Sequence, residues 1–163
     1  MQEELPVTGV VPTSAMTGED EEETARLREM EGQARAFLSS FQWCESIDGL
    51  YFGDGVGGVC AVFFAHIKPS RPDVDEHLWV VVGDLPPAYL VTDDCRTPKQ
   101  ALEGYIEEMR KWVALAKVGQ ASHDVIPVYV PPTPESAEAL ESRLDALEQK
   151  IIPQWFDQTD TIQ

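Results

Sequence analysis

Val59-Cys60-Ala61-Val62-Phe63-Phe64-Ala65-His66-Ile67 is the stretch on which the fold turns. It carries no strongly polar side chain before His66 and is rich in β-branched and aromatic residues, so it reads as a strand buried on both faces. Leu50-Tyr51-Phe52 precedes it, and Leu78-Trp79-Val80-Val81-Val82 and Ala88-Tyr89-Leu90-Val91-Thr92 follow, with Gly, Pro and Asp as punctuation. Parallel pairing needs crossovers of roughly a dozen residues or more, and these connections are shorter. The runs therefore predict a three- or four-stranded antiparallel meander. Its middle strands are apolar on both faces, so helices or a second subunit must cover both sides.

Working outward, Leu27, Met30, Ala34, Phe37, Leu38 and Phe41 recur at helical spacing. They predict an amphipathic helix of about 24 residues beginning near Thr17 or Glu19, with Gly49 beyond its end. The acidic block Glu19-Asp20-Glu21-Glu22-Glu23 suits the positive end of its dipole. On the other side, Thr97-Pro98-Lys99-Gln100 is a capping box with Pro at the first helical position. Leu102, Tyr105, Ile106, Met109, Trp112, Val113 and Ala116 form one face of that second helix, and Lys117 and Gly119 close it. Thr133-Pro134 opens a third helix with the narrower seam Ala137, Leu140, Leu144, Leu147 and Ile151. Pro153 is expected to end it, leaving Trp155 and Phe156 on a short exit segment. The stretch Ile126-Pro127-Val128-Tyr129-Val130-Pro131-Pro132 between the two helices reads as extended. Residues 1–18 show no periodic apolar face and read as a disordered acidic tail on one compact domain of residues 19–163. The expected class is α+β: an N-terminal helix, the meander, and two C-terminal amphipathic helices.

The 163 residues suit a single domain, and 43% hydrophobic with 25% charged is an ordinary globular composition. The charge is not ordinary: 12 Lys and Arg stand against 29 Asp and Glu, a net −17. That balance excludes generic binding to nucleic-acid phosphates, which needs a basic patch, and disfavours anionic membranes. The excess is uneven: −7 over residues 1–46, −5 over 47–96, +1 over 97–118 and −6 over 119–163. The neutral second helix should be central and the acidic ones peripheral. The longest apolar run, Val56 to Ala65, is too short for a bilayer, and the absence of a base before Arg26 argues against a secretory leader. Cys44, Cys60 and Cys95 make no disulfide framework and suit a reducing cytoplasm.

Most motif matches fail on context. Leu5-Pro6-Val7-Thr8-Gly9 matches the pattern sortases use, but it lacks the apolar stretch and basic tail that must follow. Gly53-Asp54-Gly55-Val56-Gly57-Gly58 fits G-x-G-x-x-G, yet a strand follows instead of a helix, so a hairpin connection is expected. Cys60 and His66 share a strand face, but six residues of strand hold them about 20 Å apart, too far for a nucleophile and its base. No C-x-x-C pair or H-E-x-x-H helix offers a zinc site, and no cofactor is expected.

One cluster survives: a meander brings His66, His77, Asp93 and Asp94 to one end of the sheet, where they suit a divalent metal or acid–base work. The alternative is ordinary strand-end chemistry. Trp155 and Phe156, with Glu135, Glu138 and Glu141 of the third helix, are candidate interface residues. The leading expectation is a small acidic cytosolic binding protein, immunity- or adaptor-like, that docks on a basic protein partner. Solubility in a bacterium-like cytosol is the competing account of the charge. A small metal- or acid/base-dependent enzyme built on the His/Asp cluster, and a homo-oligomer, are the alternatives.

Overall fold

A computed structural model describes residues 5–93, 95–120, 128 and 131–156, the side chain of Trp155 excepted. Asp94 and most of the stretch from Ile126 to Val130 lie outside these residues, as do residues 1–4. The chain forms β1 (Val11–Pro12), a 3₁₀ turn (Thr13–Ala15), α1 (Glu21–Ser39), β2 (Cys44–Val56), β3 (Cys60–Pro69), β4 (His77–Gly83), β5 (Ala88–Val91), α2 (Pro98–Ala116), α3 (Pro134–Ala146) and a π-helical continuation, Leu147–Phe156. The five strands make one antiparallel sheet in sequence order. The class is α+β as expected, with five strands instead of three or four. No helix among the described residues is long and apolar enough to cross a membrane.

Strand alternation sorts the core into two layers. Ala61, Phe63, Ala65 and Ile67 of β3, with Leu78, Val80 and Val82 of β4, pack against Leu27, Met30, Ala34 and Leu38 of α1. Cys60, Val62 and Phe64, with Trp79 and Val81, face Leu102, Tyr105, Met109, Trp112, Leu140 and Leu144 of α2 and α3. Both faces of the sheet are thus covered by helices of the same chain, and the nearly neutral α2 lies against the sheet and α3. Asp20 caps α1 by accepting from the Glu23 N–H, and Thr97 caps α2 by accepting from the Gln100 N–H. The C-terminus of α2 closes on Gly119 at φ +69°, the left-handed residue its spacing implied.

Three expectations change. The run Gly53 to Val56 is strand, because β2 extends through it and turns only at Gly57-Gly58. A Cβ at Gly53 would meet the Pro98 ring at 2.8 Å, and one at Gly55 would meet the Cys60 carbonyl at 2.8 Å, so these glycines permit close packing. Pro153 does not end the last helix: α3 runs on as a π-helix to Phe156, with Leu147, Ile152 and Phe156 buried. The wider π turn relieves the clash a proline ring makes in an α-helix, and burial of three apolar side chains holds it. Finally, residues 5–18 follow the domain instead of standing apart from it. Val7 plugs the α2 side of the core, Met16 is 1% exposed on the α1 side, and β1 pairs with Tyr51 and Phe52. Single plugs of this kind have no period, so a periodicity test passes over them.

Candidate functional site

His66 and His77 face each other across β3 and β4 in register. Their rings stack at 4.8 Å between centroids with 29° between planes, and the His77 ring lies parallel to Phe64 at 5.6 Å. The meander thus brings the two imidazoles together, half-buried at the end of the sheet on its α2 side. Asp93 does not join them in any group suited to a metal: β5 stops at Val91, and Asp93 is exposed in the turn closed by the Cys95 N–H on the Thr92 carbonyl. Asp94 is outside the described residues.

The acidic face of α3 is partly spent inside the molecule. Lys117 pairs with Glu141 at 2.9 Å, and Arg110 bridges Asp145 at 3.0 Å and Glu148 at 3.1 Å, so three carboxylates tie α3 and its continuation to α2. Glu135 and Glu138 remain exposed and carry no ion pair among the described residues. Phe156 is 1% exposed and belongs to the core, which corrects its reading as an interface residue. The π-helical continuation turns it inward. Trp155 has no described side chain.

A surface that the sequence reading places in part in the core stripe of the first helix lies on the α1 side. Phe37 of α1, Phe41 in the turn after it, Trp43 before β2 and Tyr89 of β5 form one half-buried aromatic cluster. Phe41 stacks on Trp43 at 4.7 Å, and Tyr89 meets Trp43 edge-on at 5.0 Å and Phe41 at 5.4 Å. The β3–β4 loop is fastened to this cluster: Ser70 donates from its N–H to the Trp43 carbonyl and from Oγ to the Gln42 carbonyl, and Val74 packs on the same core layer. That loop carries the exposed Asp73, Asp75 and Glu76, with Arg71 pairing Asp73 at 3.4 Å. Three of the four rings come from residues 37–43 and the fourth from β5, so the local sequence carries most of the cluster but not its completion by Tyr89.

Two grooves open elsewhere on the described residues. One of about 400 Å³ is lined by Leu85, Pro86, Pro87, Trp112, Ala139 and Leu140 among others, with the Asp84–Arg143 pair at its rim. Pro86 of its lining accepts a hydrogen bond from the buried Tyr105 hydroxyl at 2.6 Å. The other lies between α2 and the π-helix, at Ile106, Arg110 and Ile152. Neither contains His66, His77 or Asp93. Cys60 is fully buried, and burial, followed by the charge of Asp54, pushes its thiol up to about 12 against a slight opposing pull from a Val56 backbone hydrogen bond, leaving it protonated and unreactive. Comparison with protein-family models, with curated proteins and with solved structures finds no significant match. The chemistry of the chain's own residues carries the functional reading.

Proposed function

We propose that this chain is a small acidic binding module that docks on a basic protein partner. The observation that carries the reading is the half-exposed cluster of Phe37, Phe41, Trp43 and Tyr89 beside the carboxylates of the β3–β4 loop. Aromatic residues are the side chains enriched at interface centres, and their faces attract Lys and Arg of a partner. Carboxylates at the rim steer a basic surface toward them, within the field of a net −17 charge. Cys44, Cys60 and Cys95 form no disulfide, which suits a reducing compartment, and we place the module in the cytoplasm.

The test is a pull-down with the tagged protein, washed at rising salt and repeated with Trp43→Ala and with the amide variants of Asp73, Asp75 and Glu76. A basic protein retained by the parent chain, lost with Trp43→Ala and weakened by the amides at low salt supports the reading. Trp43→Ala should cost at least about 2 kcal/mol of binding, as expected of an aromatic at an interface centre. A partner held equally by all these variants, or a partner without basic character, overturns it.

A further inference from the structure

We infer that His66 and His77 form a chelating pair for one borderline divalent cation such as Zn²⁺, Ni²⁺ or Cu²⁺. The pairing geometry leads to this. The Ile67 N–H donates to the Glu76 carbonyl at 2.8 Å, so the backbone hydrogen bonds bracket the 66–77 pair instead of joining it. His66 and His77 are therefore a non-hydrogen-bonded antiparallel pair, the kind whose side chains stand closest, with Cα atoms about 4.5 Å apart. The ring centroids at 4.8 Å match that closeness.

Two imidazole nitrogens sharing one ion at about 2.0–2.1 Å each must lie within about 4.2 Å of one another. The stacked rings, 29° from parallel, do not aim their lone pairs at one point, so binding requires each ring to turn about its Cβ–Cγ bond and to give up part of that stacking. The pair is flanked by aromatic rings. Phe64 lies flat against His77, and on β2 the residue opposite His66 is Gly49, whose missing side chain is covered by the Tyr51 ring. Strand register already sets the two side chains next to each other, which lowers the entropy cost of bringing two ligands together, and both rings are half-exposed, so an ion reaches them from solvent and water completes its coordination. Imidazole selects these metals over Mg²⁺ and Ca²⁺, which prefer oxygen ligands. That preference matters in a chain with 29 carboxylates, because it separates the pair from diffuse cation binding.

The experiment is calorimetric titration of the full chain, after chelator treatment, with ZnCl₂, NiCl₂ and MgCl₂ in turn, together with Cu²⁺ electron paramagnetic resonance. One Zn²⁺ or Ni²⁺ per chain is expected, with no matching Mg²⁺ site, and two nitrogen ligands in the Cu²⁺ spectrum. His66→Asn and His77→Asn should each weaken the site by roughly tenfold or more. Circular dichroism of the metal-free variants checks that they fold. Should either fail to fold, the Cu²⁺ nitrogen count on the parent chain decides. His123, the remaining histidine, lies outside the described residues and serves as the control, since His123→Ala should leave the site unchanged. Several weak sites shared equally by Mg²⁺, a spectrum with fewer than two nitrogens, or a site that requires His123 overturns the inference.

Discussion

Cys60 holds its proton where an exposed thiol begins to lose one. Its ordinary value of 9.0 is pushed up to about 12 by burial, then by the Asp54 charge, and Tyr105 is raised for the same first reason. Above pH 9 the unfolded chain ionises the thiol while the folded chain keeps it protonated. The unfolded state then binds fewer protons, so stability is whole below pH 9 and falls as the pH rises toward 12. Urea denaturation across that range should show a midpoint that declines with pH, and Cys60→Ala should flatten part of the slope. With a thiol reagent at neutral pH, the half-exposed Cys95 should label first and Cys60 only on unfolding. Trp112 is 4% exposed between the sheet and α3, and Trp112→Ala should cost roughly 3–5 kcal/mol in chemical denaturation. At this scale the sequence was informative where distance along a strand settles the matter, as for Cys60 and His66. It was silent where the neighbours are remote: Tyr89 joins Trp43 only because β5 completes the sheet beside α1.

Among the elements, α2 was the most legible, since its cap, its apolar period and its closing glycine all point the same way. Thr97→Ala should cost about 1 kcal/mol through the lost hydrogen bond to the Gln100 N–H. The segment before α1 was the least legible. Met16 and Val7 are isolated plugs, and Arg28 adds a guanidinium bond to the Met16 carbonyl at 3.4 Å that no pattern foretells. Met16→Ala should therefore destabilise the domain by about 2–5 kcal/mol, as for any buried methionine. Removal of residues 1–16 should lower the melting temperature well beyond what loss of an unattached tail would do, and a melt unchanged by that deletion would show that the plugs contribute nothing. The π-helical continuation was illegible for another reason. A proline normally breaks an α-helix, and only the core burial of Ile152 and Phe156 shows why the chain stays coiled.

For the whole molecule, the acidic excess divides into carboxylates held by neighbours and carboxylates left to solvent. Glu31 pairs with Arg28 and Arg35, and Glu141, Asp145 and Glu148 are held by α2, so amides at those positions disturb the fold as well as the field. Amides at Asp75, Glu76, Glu135 and Glu138 remove charge from exposed positions that carry no ion pair among the described residues. With a basic partner in hand, stopped-flow association of that variant should slow several-fold at low salt, and the difference should shrink above ~0.15 M, where the Debye length is about 8 Å. The sheet has a consequence at the same scale. Its outer strand on one side is only Val11–Pro12, set against the middle of the thirteen-residue β2, whose register is broken at three places. A two-residue edge strand that ends in proline makes a poor template for strand addition. Proteolytic loss of the residues around Val11 would uncover the long flank of β2, and the chain's first misfortune would then be stacking with its own copies into intermolecular sheet, ahead of simple unfolding.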